Sequence, residues 1–170
     1  MLHSVEIYIF ANHTKSFDAM LDLYTDEFFM KEALKEAYLA YEKDEIPVGA
    51  VVACNDQIIA RAHNLTEQLT DVTAHAEMQA FTAASNYLDS KYLVNCTLYV
   101  TLEPCIMCAG AAFWTQISKI VFGTFDEKRG FTKTSAGILH PKTRVVTGVM
   151  ENECSALLKD FFKKRRREEG

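Results

Sequence analysis

Whatever this chain folds into has to bring one short segment, His75-Ala76-Glu77, against another, Pro104-Cys105-Ile106-Met107-Cys108. Together they offer one imidazole, two thiols and a carboxylate. An imidazole and two thiolates are good zinc ligands, and three protein ligands leave a fourth position open for water. Cys105 and Cys108 are three residues apart, so on a helix they share a face. Pro104 suits the first position of that helix, where a missing N–H costs nothing. A helix start also favours thiolates through its partial positive charge. His75 and Glu77 stand two apart and cannot share a helical face. They must sit at a helix start and address different parts of the site, His75 the metal and Glu77 the water.

Blander readings of the same residues exist. A C-x-x-C pair alone is compatible with a redox dithiol. A structural zinc site would need a fourth ligand, and Cys54, Cys96, Cys154, His63 and His140 are available, none at paired spacing. His75 alone is compatible with an ordinary core histidine beside two unrelated cysteines. The joint pattern is more specific than either half. It resembles the H-x-E…P-C-x-x-C signature of the zinc-dependent nucleobase deaminases. Replacing an amino group by oxygen needs hydroxide at neutral pH, and zinc lowers the pKa of bound water from about 15.7 to roughly 7. Two thiolates and an imidazole make a formally neutral shell, so a nearby base matters more. Glu77 can take the water's proton, give it to a ring nitrogen and help protonate the departing ammonia. A closed apolar pocket would tune its pKa for both roles.

Along the chain, residues 1–25 show no clean period and are expected to be a loosely packed N-terminal extension. From residue 26 the pattern becomes that of a folded domain running to residue 170. Thr25-Asp26 are helix N-cap types, and Phe29, Leu34, Ala37, Tyr38 and Tyr41 recur at helical spacing up to about residue 43. Residues 47–54 and 57–63 read as strands about an Asn55-Asp56 turn. A helix is expected over 74–88, a strand over 97–101, a helix over 105–114 and a strand over 119–123. Loop-like text with room for a short helix follows at 126–143, then a strand at 144–147 and a helix at 151–167. This alternation predicts a three-layer α/β/α domain around a central mixed sheet of about five strands. Both metal-bearing helix starts follow strand-associated segments, which gathers the site at one sheet edge.

Composition sets the outer limits. The 170 residues suit one domain, and 49% hydrophobic residues suit an ordinary core. No run of 18 apolar residues is present, so no membrane span is expected. The start of the chain lacks a basic leader, and an odd count of 5 cysteines with two assigned to zinc fits a reducing cytoplasm. A net charge of −5 argues against a generic nucleic-acid binder. Against that stands the run Lys163-Lys164-Arg165-Arg166-Arg167, either a solvated helix end or a phosphate-contact strip.

The text flanking the signature narrows the family. Ile46-Pro47-Val48-Gly49-Ala50-Val51, Ala62-His63-Asn64, Thr73-Ala74-His75-Ala76-Glu77-Met78 and residues 101–111, Thr-Leu-Glu-Pro-Cys-Ile-Met-Cys-Ala-Gly-Ala, resemble the bacterial tRNA-specific adenosine deaminases. So do Ile120-Val121-Phe122-Gly123 and the ending Asp160-Phe161-Phe162-Lys163. The resemblance covers about residues 26–167. It implies a cytidine deaminase-like fold, conversion of adenosine to inosine at the wobble position of a tRNA anticodon, and a homodimer with one Zn2+ per subunit. It implies His75, Cys105 and Cys108 as metal ligands, Glu77 as the catalytic residue, and Asn64, Ala76 and Asp126 as substrate contacts. Read without it, Asn64 and Asp126 are turn residues. Phe125, Phe131, Phe161 and Phe162 are stacking candidates that serve equally well as core. The segment 139–147 is shorter than its family counterpart, and Lys142 and Arg144 stand there as candidate phosphate contacts. Because that segment is expected to border the substrate channel, a free base such as guanine or cytosine is the alternative substrate.

Overall fold

A computed structural model of the chain describes residues 24–134 and 137–168. The N-terminal extension expected over 1–25 lies outside them except for Tyr24 and Thr25. In chain order the elements are α1 (Asp26–Glu42), β1 (Gly49–Cys54), β2 (Gln57–His63), α2 (Ala76–Leu88), β3 (Cys96–Leu102), α3 (Ile106–Thr115), β4 (Lys119–Thr124), a single 3-10 turn (Phe131–Lys133), β5 (Arg144–Thr147) and α4 (Glu151–Glu168). The five strands form one sheet in the order β2-β1-β3-β4-β5. β1 is antiparallel to β2 and to β3, whereas β3, β4 and β5 run parallel, so the sheet is mixed as expected.

The three central strands, β1, β3 and β4, are largely buried on both faces because helices cover both. In β1, Ala50 and Val52 point to one core with Leu98, Val100, Ile120 and Phe122, beneath Ala76, Ala80, Phe81 and Ala84 of α2 and Ala109 and Ala112 of α3. The alternate residues Val51 and Ala53 join Tyr99 and Val121 in a second core under Phe29, Met30, Ala33, Leu34 and Ala37 of α1 and Cys154 and Leu157 of α4. The period of 2 along each strand thus builds the three layers. α1 sits very close to β1. A Cβ on Gly49 would fall inside contact distance of the Ala33 carbonyl oxygen and the Ala37 amide nitrogen. The Thr25 hydroxyl accepts the Phe28 N–H at 3.1 Å, the cap expected from its sequence.

Two helix starts differ from expectation. α2 begins at Ala76, with His75 as its N-cap, and α3 begins at Ile106, with Cys105 as its N-cap. Pro104 therefore precedes the helix instead of opening it. The reason is tertiary: the Pro104 carbonyl accepts the Phe131 N–H at 3.0 Å and Cys105 bridges to Gly130, which holds this stretch extended.

Candidate metal centre

The ends of β3 and β4 and the starts of α2 and α3 meet at one sheet edge, and the ligand atoms meet there too. His75 Nδ1 lies 3.6 Å from Cys105 Sγ and 3.6 Å from Cys108 Sγ, and the two sulfurs are 3.7 Å apart. Sulfurs about 2.3 Å from a tetrahedral zinc lie roughly 3.8 Å from each other and roughly 3.6 Å from a nitrogen ligand at about 2.05 Å. The donor set and its spacing therefore fit zinc. The triad comprises these three residues alone among the described residues, and Cys54, Cys96, Cys154, His63 and His140 do not join it. A fourth protein ligand is lacking there, which is the catalytic and not the structural pattern.

As N-caps, His75 and Cys105 would ordinarily satisfy the first N–H groups of their helices. Neither side chain does so, since both turn to the metal centre. For α2 the task passes to Asn64, whose Oδ1 accepts the Ala76 N–H at 2.9 Å. Asn64 is itself buried, at the end of β2, with its N–H on the Val48 carbonyl. With Oδ1 committed, Nδ2 is the amide's remaining donor group.

Glu77, in the first turn of α2, is buried beside the Cys108 sulfur. Burial pushes its carboxyl up to about 7, with the Cys105 charge adding to the effect against the pull of His75. Without metal the triad shares its protons unequally. Cys105 falls to about 4, chiefly because the Cys108 thiol and then His75 hydrogen-bond to its sulfur. Cys108 is raised by that same hydrogen bond and by burial, and contact with Cys105 raises His75. Metal binding needs the second thiol deprotonated, so it must release a proton.

The other expected site residues divide. Asp126 lies on the loop packed against the Cys105 segment, but its Oδ1 accepts the N–H groups of Lys128 and Arg129, at 2.9 and 3.0 Å, and so shapes its own loop. Phe131 and Phe161 are core, while Phe125 and Phe162 are partly exposed. Two of the five cations in the basic run are committed: Lys164 and Arg165 pair with Asp44, and Arg165 also donates to the Asp44 carbonyl. Lys163, Arg166 and Arg167 remain exposed. The segment 139–147 does not border the triad, contrary to the expectation from its sequence. Thr143 bonds the Ile117 carbonyl and Arg144 pairs with Lys119, so Lys142 and Arg144 sit at the sheet edge opposite the triad.

Sequence reasoning missed two buried carboxylates. Glu45 accepts the N–H groups of Glu67 and Gln68 and the Thr66 hydroxyl, anchoring the loop that leads to His75. Glu103 accepts the N–H groups of Asp126 and Thr132. Glu45 had no local signal, standing beside Asp44 like any surface acid. Glu103 had a weak one, an acid directly after an apolar strand.

An open three-donor zinc site with a buried carboxylate, at the edge of this α/β/α sheet, defines the class as the zinc-dependent hydrolytic deaminases. The family model for the cytidine and deoxycytidylate deaminase zinc-binding region matches residues 23–124. The tRNA-specific adenosine deaminase of Bacillus subtilis (strain 168) is 48% identical over 147 residues, covering 84% of this chain and 91% of that protein. Its counterpart in Aquifex aeolicus (strain VF5) is 46% identical over 144 residues, covering 82% of this chain and 95% of that protein. The chain belongs to the tRNA-specific adenosine deaminase family. A solved structure from work on A-to-I editing by tRNA:A34 deaminases superposes with a TM-score of 0.73 at 40% identity, covering 76% of this chain and 98% of that one. A guanine deaminase from Nitrosomonas europaea superposes with a TM-score of 0.71 at 25% identity, over 79% of this chain and 83% of that one.

Proposed function

We propose that the chain hydrolyses adenosine to inosine at the wobble position of a tRNA anticodon. The observation that carries this is an open His75–Cys105–Cys108 triad with Glu77 buried beside it, in a chain 48% identical to a tRNA-specific adenosine deaminase across nearly its whole folded part. Zinc held by His75, Cys105 and Cys108 would supply the Lewis acidity that lowers water's pKa toward roughly 7. Glu77 accepts a proton from the attacking water and hands it to a ring nitrogen; it then takes the second proton, from the hydroxyl now on the ring carbon, and gives it to the departing amino group, which leaves as ammonia. Water enters and ammonia leaves, so Glu77 ends as it began. A carboxyl pushed up to about 7 is suited to giving and taking a proton near neutral pH. Asn64 orients the nucleoside through Nδ2. Ala76 acts through Asn64, because its N–H fixes the amide's direction. Asp126 shapes the rim that meets the anticodon nucleotides.

The adenine has to leave its stack to enter the site, at a cost of a few kcal/mol that is smallest in a single-stranded loop. Lys163, Arg166 and Arg167 supply cations for the phosphates. The active form is a homodimer, supported by the exposed stripe of Ile106 and Trp114 on either side of Gly110 along α3. A cytoplasmic location is supported by the five cysteines, none of which pairs in a disulfide. No helix among the described residues is long and apolar enough to cross a membrane. The free-base alternative rested on segment 139–147 bordering the channel, and the position of Arg144 removes that support. The test is zinc-loaded protein with an anticodon stem-loop carrying adenosine at the wobble position, read by the mass change to inosine. Conversion is expected; turnover of free guanine or cytosine with the RNA unchanged would overturn the assignment.

A further inference from the structure

β3 ends in apolar text, and the chain then buries a carboxylate. Glu103 is 2% exposed and stands two residues before Cys105. None of the ion pairs among the described residues involves it. Its oxygens are used on backbone instead. Oε2 accepts the Asp126 N–H at 3.0 Å and Oε1 the Thr132 N–H at 2.8 Å, so one carboxylate closes both ends of the 126–132 loop. Gly130 lies flat against it: a Cβ there would overlap both oxygens and the carboxyl carbon. Backbone stitches tie the same parts together, Glu103 N–H to the Thr124 carbonyl and Phe131 N–H to the Pro104 carbonyl.

Burying a carboxylate is expensive unless its acceptor positions are filled. An apolar residue would end the strand at lower cost, so the loop is what Glu103 is there to hold. Inside the loop, Asp126 Oδ1 gathers the Lys128 and Arg129 N–H groups, and the Gly130 N–H closes on the Asp126 carbonyl. The resulting tight turn leaves Lys128 and Arg129 exposed, with partly exposed Phe125 at its base. Two cations and an aromatic ring beside the metal centre match phosphates and a splayed base.

We propose that Glu103 is a positioning residue that fixes the 126–132 loop to the Cys105 segment, so that Phe125, Lys128 and Arg129 meet the RNA in register with the metal centre. This rests on RNA being the substrate. Glu103 itself touches no substrate, and its loss alters how RNA is held more than how bound adenosine reacts.

The test uses Glu103→Gln and Gly130→Ala in the zinc-loaded full chain. Glutamine keeps one acceptor and turns a donor toward an N–H, while alanine at 130 pushes the same loop from the other side. Both variants are expected to hold one zinc per chain. Amide hydrogen exchange should quicken in 125–132 and not in α2. On the anticodon stem-loop KM should rise about tenfold or more, with kcat within about threefold. In a Glu103→Ala background there is room for the added methyl, so Gly130→Ala should then change KM little, a non-additive pair. Unchanged exchange, additive effects, or a fall in kcat at constant KM would overturn the proposal. If the wild type leaves the stem-loop unchanged, the RNA reading fails and takes the KM arm with it. The exchange and zinc measurements then decide separately whether Glu103 clamps the loop.

Discussion

Glu77→Gln should stabilise the metal-free protein while abolishing its chemistry. The substitution keeps size and shape and removes one titration. In the fold the carboxyl is pushed up to about 7, against 4.5 for the ordinary group. Below pH 4.5 it is protonated folded or unfolded and contributes nothing. As pH rises from there to about 7, the unfolded chain ionises while the folded chain keeps its proton. Unfolding then releases a proton, and stability falls with pH across that window. At 1.36 kcal/mol per unit the loss is about 3 kcal/mol by pH 8 and under about 1 kcal/mol at pH 5. Glutamine has no such loss. In chelator-stripped, reduced protein, thermal unfolding should show the variant gaining on wild type by roughly 5–10 °C between pH 5 and pH 8 for a domain of this size. Any fixed cost of burying the amide cancels in that difference. With zinc restored, the variant should bind the metal normally and lose about 10²–10⁴ in kcat, the usual contribution of a proton-transfer group. A Tm gap that does not change with pH would refute the buried-acid reasoning. Retained turnover would refute the proton-shuttle role.

Three further outcomes follow from other contacts. Gly49→Ala meets helix backbone on two sides, with no side chain able to turn away, and should cost about 3 kcal/mol. Gly137→Ala meets nothing within 4 Å and should stay within about 1 kcal/mol of wild type by chemical denaturation; equal effects would contradict the tight α1–β1 packing. Burial pushes Glu45 up, but the N–H groups of Gln68 and Glu67 and the Thr66 hydroxyl outweigh it and hold the group below 4.5. Its contribution is therefore present above pH 4.5 and lost as pH falls through the lowered value, so Glu45→Gln, about 1–3 kcal/mol less stable at pH 7, should differ less from wild type in acid melts. Neutralising Lys163, Arg166 and Arg167 should weaken stem-loop binding and shrink its salt slope by up to about 2, while neutralising Lys164 and Arg165 should mainly loosen α4 from Asp44. An unchanged slope in the first variant would make those three charges a solvated helix end.

The elements were legible because their signals are local. Thr25 caps α1 through a hydroxyl that reaches its own first turn, and the text of β1 and β2 flanks a two-residue turn. The metal ligands were legible because few residue types bind zinc and their spacing is short. Helix starts were less so. Whether Pro104 opens α3 depends on Phe131 and Gly130, which hold it extended from outside the local segment. The position of 139–147 was illegible for a related reason. Strand β5 can be read from its residues, but that Arg144 pairs with Lys119, away from the triad, is fixed by a parallel register that no local pattern encodes.

The sequence by itself determined the donor set: His75, Glu77, Cys105 and Cys108 carry their donor atoms wherever the chain places them, while burial and neighbours set their proton affinities. Only the tertiary structure decided what holds that chemistry in position. Asn64 replaces the missing help of His75 by capping α2, Glu45 and Glu103 anchor the loops on either side, and Asp44 takes two of the five cations of the basic run. An acid on the surface and an acid accepting buried N–H groups are the same letter, and the partners that distinguish them lie far along the chain.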